Sequence, residues 1–136
     1  MNLFELISRA NPHNPCILAE DGATQLTYGD LFGLAGRYAN AMSALGVKPG
    51  DRVLAQVEKT PEALALYIAC LRAGFIYLPL NTAYGESELS HFVSDAEPSL
   101  IVCDPAATTL FEGLATSGDT PSTILTLDAS GHGSFA

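Results

Sequence analysis

Apolar side chains along the chain follow two patterns, helical spacing and short uninterrupted runs. Helical spacing predicts five helices, and these cover residues 2–10, 27–45, 60–73, 86–96 and 105–114. Uninterrupted apolar runs predict strands at residues 75–80 and 100–103, and strands are also predicted at residues 52–57 and 123–127. Because strands alternate with helices from residue 52 onward, we predict an α/β fold that is doubly wound, with a mostly parallel sheet flanked by helices.

Local patterns set the ends of several elements. Strand-like segments at residues 16–20 and 25–27 flank an Asp-Gly turn, and this arrangement predicts a short N-terminal β-hairpin. Thr27, with Asp30 three residues later, is typical of a capping box at the start of a helix. Thr60 is expected to cap the next long helix in the same way.

Length and composition favour a single α/β domain over residues 1–136. With 48% hydrophobic residues among 136, the chain can bury one sizeable core. Residues 128–136 are polar and rich in glycine until Phe135, so we expect a flexible tail there. The predicted last strand then forms either an open edge of the sheet or a surface for another part of a longer protein.

Negative charge is concentrated in the second half of the chain. The net charge is −9, and Arg72 is the last basic residue. The carboxylates that follow it are Glu86, Glu88, Asp95, Glu97, Asp104, Glu112, Asp119 and Asp128. Nucleic acids and anionic membranes are bound through Lys and Arg, so we expect neither as a partner. For the same reason, we do not expect the chain alone to hold a triphosphate.

Cysteine usage points to a reducing compartment. Cys16, Cys70 and Cys103 are widely spaced and form no C-x-x-C pair, which is typical of small buried side chains. The N-terminus lacks a basic region followed by an apolar one, and the longest apolar run, residues 63–71, is shorter than a membrane span. These features predict a cytoplasmic protein.

Two segments have some character of phosphate-binding loops. Glu58, Lys59 and Thr60 lie between a predicted strand and helix, but the glycines that would turn backbone N–H groups toward an anion are absent. Residues 116–121 are rich in Ser, Thr and Gly, but Asp119 adds negative charge and no lysine follows. We interpret the first segment as a helix cap and the second as a loop before a strand.

Metal binding and nucleophilic catalysis have weak support. Glu88, His91 and Asp95 share one face of a predicted helix, at a spacing compatible with a metal site. The remaining histidines, His13 and His132, are remote in sequence, so a solvated polar face is favoured and no metal is assigned. A Ser-His-Asp triad is not excluded by composition, but the chain has no G-x-S-x-G elbow.

A series of short motifs covers most of the chain from about residue 16 to residue 105. The motifs are L-T-Y-G-D-L at 26–31, G-V-K-P-G-D-R-V at 46–53, E-K-T-P-E-A at 58–63, L-R-A-G at 71–74, Y-L-P-L-N-T-A-Y at 77–84, E-L at 88–89 and D-A-E-P at 95–98. Their order and spacing resemble the N-terminal segment of the adenylate-forming acyl-CoA synthetase superfamily, which includes acyl-CoA synthetases, peptide-synthetase adenylation domains and luciferases. Within it, the segment is most similar to malonyl-CoA synthetases. Asp30 departs from the usual Glu.

This resemblance implies an acid–CoA ligase, which uses ATP and Mg²⁺ to convert a small carboxylic acid into an acyl-adenylate and then transfers the acyl group to coenzyme A. In the family, the phosphate loop, the adenine-binding segment and the catalytic lysine lie further along the polypeptide. No catalytic, cofactor-binding or metal-binding residue is therefore assigned here. We expect an N-terminal fragment, a structural subdomain that binds no cofactor alone and packs against the remainder of its own polypeptide.

The loop with Asn81, Thr82 and Tyr84 is the nearest approach to function. It follows a predicted strand at its C-terminal end, where open α/β sheets place ligands. In the whole enzyme, this loop would line the coenzyme A or substrate channel. A structural role for Asn81 is favoured, because Asn side chains commonly bond neighbouring backbone groups in loops.

Two alternatives remain open at this stage. The first is a free-standing, doubly wound binding or regulatory module, such as a receiver-like or flavodoxin-like domain. A receiver would need a lysine near its end, and residues 73–136 contain none. The second is a self-associating module that forms a homodimer through an exposed surface.

Overall fold

Helices and strands alternate in the order expected for an α/β fold. The computed structural model describes residues 3–115 and 122–135. The helices are α1 (Leu3–Ile7), α2 (Tyr28–Ala44), α3 (Pro61–Ala73), α4 (Glu86–Ala96) and α5 (Thr108–Ala115), with a 3₁₀ turn at Pro105–Ala107. The strands are β1 (Pro15–Leu18), β2 (Thr24–Thr27), β3 (Arg52–Gln56), β4 (Ile76–Pro79), β5 (Leu100–Cys103) and β6 (Thr123–Thr126).

Four parallel strands form the central sheet, in the order β4-β3-β5-β6, and β1 and β2 form a separate antiparallel hairpin. Val53 of β3 lies opposite Tyr77 of β4 and Leu100 of β5, and Leu100 lies opposite Thr123 of β6. Apart from Arg52, all side chains of β3 and β5 are buried. The predicted fold, a doubly wound parallel sheet with an N-terminal hairpin, is confirmed.

Each face of the sheet has its own apolar core. On one face, α2 and α3 contribute Leu31, Ala35, Met42, Leu66, Ala69 and Cys70, which pack against Val53, Ala55, Leu100 and Val102. On the other face, α4 and α5 contribute Leu89, Val93 and Phe111, which pack against Leu54, Ile101 and Cys103. Because successive residues of β3 and β5 enter opposite cores, Val53–Ala55 of β3 and all four residues of β5 have to be apolar.

The two long helices α2 and α3 begin at side-chain caps. Thr27 Oγ1 accepts a hydrogen bond from the Asp30 backbone N–H at 3.1 Å, and Asp30 Oδ2 accepts one from the Thr27 N–H at 3.0 Å. The hydrogen bonds from Thr27 lower the pKa of Asp30. At α3, Thr60 Oγ1 accepts from the Ala63 N–H at 3.0 Å, and Gly74 ends the helix in the left-handed region. These geometries match the predicted capping box and N-cap.

Arg52 joins the start of β3 to the end of α4. Its Nε donates to the carbonyl oxygen of Ala96 at 2.7 Å, and its Nη2 donates to that of Glu97 at 3.1 Å. Glu97 has a φ of +46°, so the last carbonyls of α4 point toward the arginine side chain at a left-handed turn. In the G-D-R-V motif, the arginine therefore holds a helix end at the N-terminal edge of the sheet.

The last described residues fold back onto α2. Phe135 is 6% exposed, its ring centroid lies 4.7 Å from that of Tyr38, and its N–H donates to the Thr126 carbonyl at 2.9 Å. Gly133 has a φ of +144°, and a Cβ there would overlap the Thr126 carbonyl oxygen. Phe135 is therefore packed against α2, and the flexible tail that polarity suggested for residues 128–136 stays a prediction. A single aromatic residue gives no periodic pattern, so the contact could not be anticipated.

The cysteines are thiols, and two of them are core residues. Cys70 and Cys103 are completely buried, one in each core. Burial raises the pKa of the Cys70 thiol to about 12 and that of the Cys103 thiol to about 11. Cys16 is half-buried in the hairpin. The prediction that Cys70 and Cys103 act as small buried hydrophobic side chains agrees with these positions.

We expect Phe135→Ala to lower the free energy of unfolding by about 3 kcal/mol, because it empties an apolar contact between the chain end and α2. Urea denaturation followed by circular dichroism measures this change. Leu6→Ala is the control, since Leu6 is 52% exposed and its truncation should cost no more than about 0.5 kcal/mol. Equal stabilities for the Phe135 variant and the unmodified chain would show that the tail does not pack.

We expect Arg52→Met to lower the free energy of unfolding by about 1.5 kcal/mol, because two carbonyls at the end of α4 lose a charged donor. The matched control is Arg37→Met at an exposed position of α2, with a change within about 0.5 kcal/mol. Both variants are compared in the same urea titration. If Arg37→Met cost as much as Arg52→Met, net charge rather than helix capping would explain the effect.

Candidate functional site

The C-terminal edge of the sheet contains a crevice between β3 and β5. After β3, the chain enters α3, which packs on one face of the sheet. After β5, it enters α5, which packs on the other face. The two connections therefore diverge, and the strand order reverses at this point. Open α/β sheets bind ligands at such switch points.

Gln56 ends β3 at the base of this crevice. It is 6% exposed and is the one buried polar side chain within residues 3–115 and 122–135. Its Nε2 donates to the Asn81 carbonyl at 3.0 Å and reaches the Tyr84 carbonyl at 3.4 Å. Sequence reasoning missed this residue. Its one distinguishing feature is a polar side chain at the end of an otherwise apolar strand.

The loop with Asn81, Thr82 and Tyr84 lies beside Gln56, as its place after β4 predicts. Asn81 Oδ1 accepts from the Ala83 N–H at 2.8 Å, and the Asn81 carbonyl accepts from the Tyr84 N–H at 3.1 Å. Both bonds support the structural role favoured for Asn81. The Tyr84 ring stacks on Phe92 of α4, at a centroid distance of 5.6 Å and an interplanar angle of 12°.

Two cavities share this loop as a wall. One, of about 360 Å³, is lined by Gln56, Glu58, Thr82, Tyr84 and Asp104 together with apolar side chains of α4 and the segment after β5. The other, of about 490 Å³, is lined by Val57, Glu58, Lys59, Pro79, Leu80, Asn81 and Thr82. The structure thus brings the three predicted loop residues to the switch point, where Thr82 lines both cavities, Tyr84 the first and Asn81 the second. The first cavity has two carboxylates at its wall.

A larger and mostly apolar cavity opens beside the edge strand β4. Its volume is about 670 Å³, and Leu64, Tyr67 and Tyr77 are among its lining residues. The Tyr67 and Tyr77 rings lie 5.2 Å apart. Burial raises the pKa of the Tyr77 hydroxyl to about 12, so this side chain stays protonated at neutral pH. Glu58 and Lys59 also line this cavity, next to its apolar surface.

The candidate phosphate loop after β3 is a helix cap in the structure. Thr60 directs its hydroxyl to the N-terminus of α3, and Glu58 and Lys59 are exposed. No glycine occurs there to turn several N–H groups toward an anion. The second candidate, residues 116–121, lies outside the described residues.

The histidines form no recognisable reactive centre in the part of the chain that the structure describes. His91 contacts the Phe92 ring edge-on, and no group of three His, Cys, Asp or Glu side chains there could hold a metal ion. Ser130 Oγ donates to Asp128 Oδ1 at 2.6 Å and lies 3.0 Å from His132 Nδ1. A triad needs the carboxylate on the histidine rather than on the serine. Here Asp128 organises the tail, and the hydrogen bonds from Ser130 lower its pKa.

No helix within the described ranges is both long and apolar enough to cross a bilayer.

The chain matches one protein family and several curated proteins. The family described as AMP-binding enzyme matches residues 4–134. A feruloyl-CoA synthase of Amycolatopsis sp. is 37% identical over 98 residues, which are 72% of this chain and 20% of that protein. A 3-hydroxybenzoate–CoA ligase of Aromatoleum sp. (strain CIB) is 32% identical over 94 residues, which are 69% of this chain and 18% of that protein.

Solved structures give the same result with fuller coverage. ATP-bound MatB from Rhodopseudomonas palustris superposes with a TM-score of 0.90 and 43% identity, over 99% of this chain and 27% of that one. An acyl-CoA synthetase from Brucella canis superposes with a TM-score of 0.79 and 25% identity, over 97% of this chain and 24% of that one. The chain thus spans about a fifth to a quarter of these relatives. It belongs to the family of AMP-binding enzymes.

Proposed function

We propose that this chain is the N-terminal subdomain of an ATP-dependent acid–CoA ligase of the malonyl-CoA synthetase type. The reaction converts a carboxylic acid, ATP and coenzyme A into an acyl-CoA, AMP and pyrophosphate. This proposal rests mainly on the match to ATP-bound MatB, at 43% identity and a TM-score of 0.90 over nearly the whole chain. MatB is a malonyl-CoA synthetase. The family motifs at residues 58–63 and 77–84 support the same assignment.

The role of the chain in this reaction is structural. Adenylation develops negative charge on phosphate oxygens, and cations have to neutralise it. At the switch point, Glu58 and Asp104 would repel phosphates, and residues 73–136 supply no Lys or Arg. These residues do not fit a Mg²⁺–ATP complex. The chain therefore forms one wall of the active-site cleft. The residues that bind ATP, Mg²⁺ and coenzyme A belong to the rest of the polypeptide.

The partners follow from this role. We propose the remainder of the same polypeptide as the protein partner and a small carboxylic acid, malonate first, as the substrate. The names of the curated relatives specify different acids, so the acid that this protein uses has to be tested directly. Nucleic acid and membrane are not proposed as partners, because a net charge of −9 disfavours both. We place the protein in the cytoplasm on the basis of its cysteine usage.

We expect the isolated 136-residue chain to produce no AMP from ATP, malonate and coenzyme A. Residues 73–136 supply no Lys or Arg to stabilise the transferred adenylyl group and the leaving pyrophosphate, and the chain spans 27% of the MatB chain. Chromatographic detection of AMP, with MatB as the positive control, measures this. Steady AMP release by the pure chain at a rate proportional to its concentration would refute the structural role.

A chimera tests the assignment to an acid–CoA ligase. Residues 1–136 replace the aligned segment of R. palustris MatB, and pyrophosphate release is measured with malonate, acetate, ferulate and 3-hydroxybenzoate. We expect malonate-dependent release within about tenfold of MatB, because the matched backbone rebuilds the same wall.

The control chimera carries Leu54→Asp. Leu54 is completely buried in β3, and an unpaired carboxylate there should prevent folding and abolish activity. Ultracentrifugation and circular dichroism show whether each chimera is soluble and folded, so a misfolded chimera is distinguished from a folded but inactive one. A soluble, folded chimera that forms no acyl-adenylate with any acid would contradict the proposed function.

A further inference from the structure

The two edges of the central sheet are protected against strand addition in different ways. β4 and β6 are the edge strands, and an exposed strand edge can pair with another chain. In β4, the N–H groups of Ile76 and Leu80 donate toward β3, each at 2.8 Å. The N–H groups of a strand alternate in direction, so the outward positions are Tyr77 and Pro79, and proline has no N–H. The outer edge of β4 therefore offers little to a partner strand.

β6 contains no proline, and its outer edge is covered by the chain that follows it. The Leu127 N–H donates to the carbonyl at the end of β5 at 2.9 Å, so alternation directs the N–H groups of Ile124 and Thr126 away from β5. The Thr126 N–H donates to Ser134 Oγ at 2.8 Å, and the Thr126 carbonyl accepts from the Phe135 N–H at 2.9 Å. Both outward backbone groups of Thr126 are therefore bonded to a segment of the same chain.

This segment, residues 128–135, is called the strap below. Asp128 Oδ1 accepts hydrogen bonds from two backbone N–H groups of the strap, at 2.8 and 3.0 Å, and these close a local turn. Gly133 has a φ of +144°, and a Cβ there would overlap the Thr126 carbonyl oxygen, so the close approach requires glycine. Phe135 anchors the strap on α2. Within the described ranges, the hydrogen bonds from the strap to β6 all involve Thr126, so the strap can open more easily than a paired strand.

The edge beneath the strap suits a second copy of the same strand. Residues 122–127 carry no charge, although the net charge of the chain is −9. Two β6 edges related by a two-fold axis would pair antiparallel, because each supplies the outward N–H and carbonyl groups of Ile124 and Thr126. β-Branched side chains at both positions also favour strand pairing. The partner that this edge fits is thus an uncharged strand of the same sequence.

We propose that the outer edge of β6 is an interaction surface for a second copy of this chain, and that the strap covers this surface in the monomer. When the strap opens, the hydrogen bonds between Thr126 and the strap are exchanged for backbone hydrogen bonds across a two-fold axis. This inference does not depend on the acid–CoA ligase function, because it concerns an edge of the sheet and no step of the reaction.

The first test measures hydrogen exchange of backbone amides by NMR in a dilute solution of the 136-residue chain. Ser134→Ala removes the acceptor of the Thr126 N–H. We expect the Thr126 amide to exchange about tenfold faster, while the Leu127 amide, which bonds to β5, stays within about twofold. Ser43→Ala, at an exposed serine of α2, is the matched control and should change neither amide. Unchanged exchange at Thr126 would show that the strap does not cover the edge.

The second test is sedimentation velocity over a range of protein concentrations. Gly133→Ala places a Cβ against the Thr126 carbonyl and opens the strap, whereas Gly113→Ala places one in open space on α5. We expect Gly133→Ala to form a dimer at about 100 µM, where the unmodified chain and Gly113→Ala stay monomeric. A Gly133→Ala chain that is folded by circular dichroism but monomeric would overturn the proposed surface. An unmodified chain that already forms the dimer would overturn the role of the strap.

A double variant locates the contact in the dimer. Thr126→Pro in the Gly133→Ala background removes an outward N–H, as Pro79 does in β4, and keeps the N–H groups that bond to β5. We expect this chain to be monomeric where Gly133→Ala is dimeric. A dimer that persists would place the contact elsewhere and contradict the proposal.

If Gly133→Ala does not fold, Ser134→Ala replaces it in both sedimentation comparisons, because Ser134 is exposed and its truncation leaves both cores intact. A dimer of Ser134→Ala that Thr126→Pro abolishes would support the proposal. A folded, monomeric Ser134→Ala chain would overturn it.

Discussion

The parallel pairing of β3 with β5 is the constraint on which the rest of the structure depends. Both strands are buried on both faces, so each residue must suit one of two cores. Their parallel direction requires helical crossovers, and the helices that follow the two strands lie on opposite faces. The divergence of these connections opens the crevice at the C-terminal edge. The candidate site is thus a consequence of the topology rather than an addition to it.

Polar side chains at the two ends of β3 control the position of α4. Arg52 binds the carbonyls at the C-terminal end of that helix, and Gln56 binds the loop that precedes it. A five-residue strand therefore holds both ends of one crossover. Arg52 and Gln56 thereby set the shape of the C-terminal crevice and of the helix beside it. The arrangement also explains why a family motif, G-D-R-V, lies at the edge of the sheet opposite the crevice.

Much of the fold could be predicted from the sequence because the deciding interactions are local. Apolar runs identified β4 and β5, and Thr27 and Thr60 identified two helix starts whose caps span three residues. The apolar run of β4 also showed that Asn81 lies just after the C-terminal end of that strand. The contacts of Gln56 and Phe135 were not anticipated, since their side chains meet residues 25 or more positions away and no periodicity reports such contacts. Tertiary structure, rather than pattern, decides their roles.

The distribution of charge connects the fold to the proposed function. A net charge of −9, with no cation after Arg72, makes this chain unsuited to bind phosphates but suited to exclude them. Glu58 and Asp104 line the crevice beside the loop, so like charge disfavours anionic groups in that space. If the chain is one wall of an active-site cleft, as proposed above, β3 contributes the shape of that wall and the two carboxylates contribute its charge.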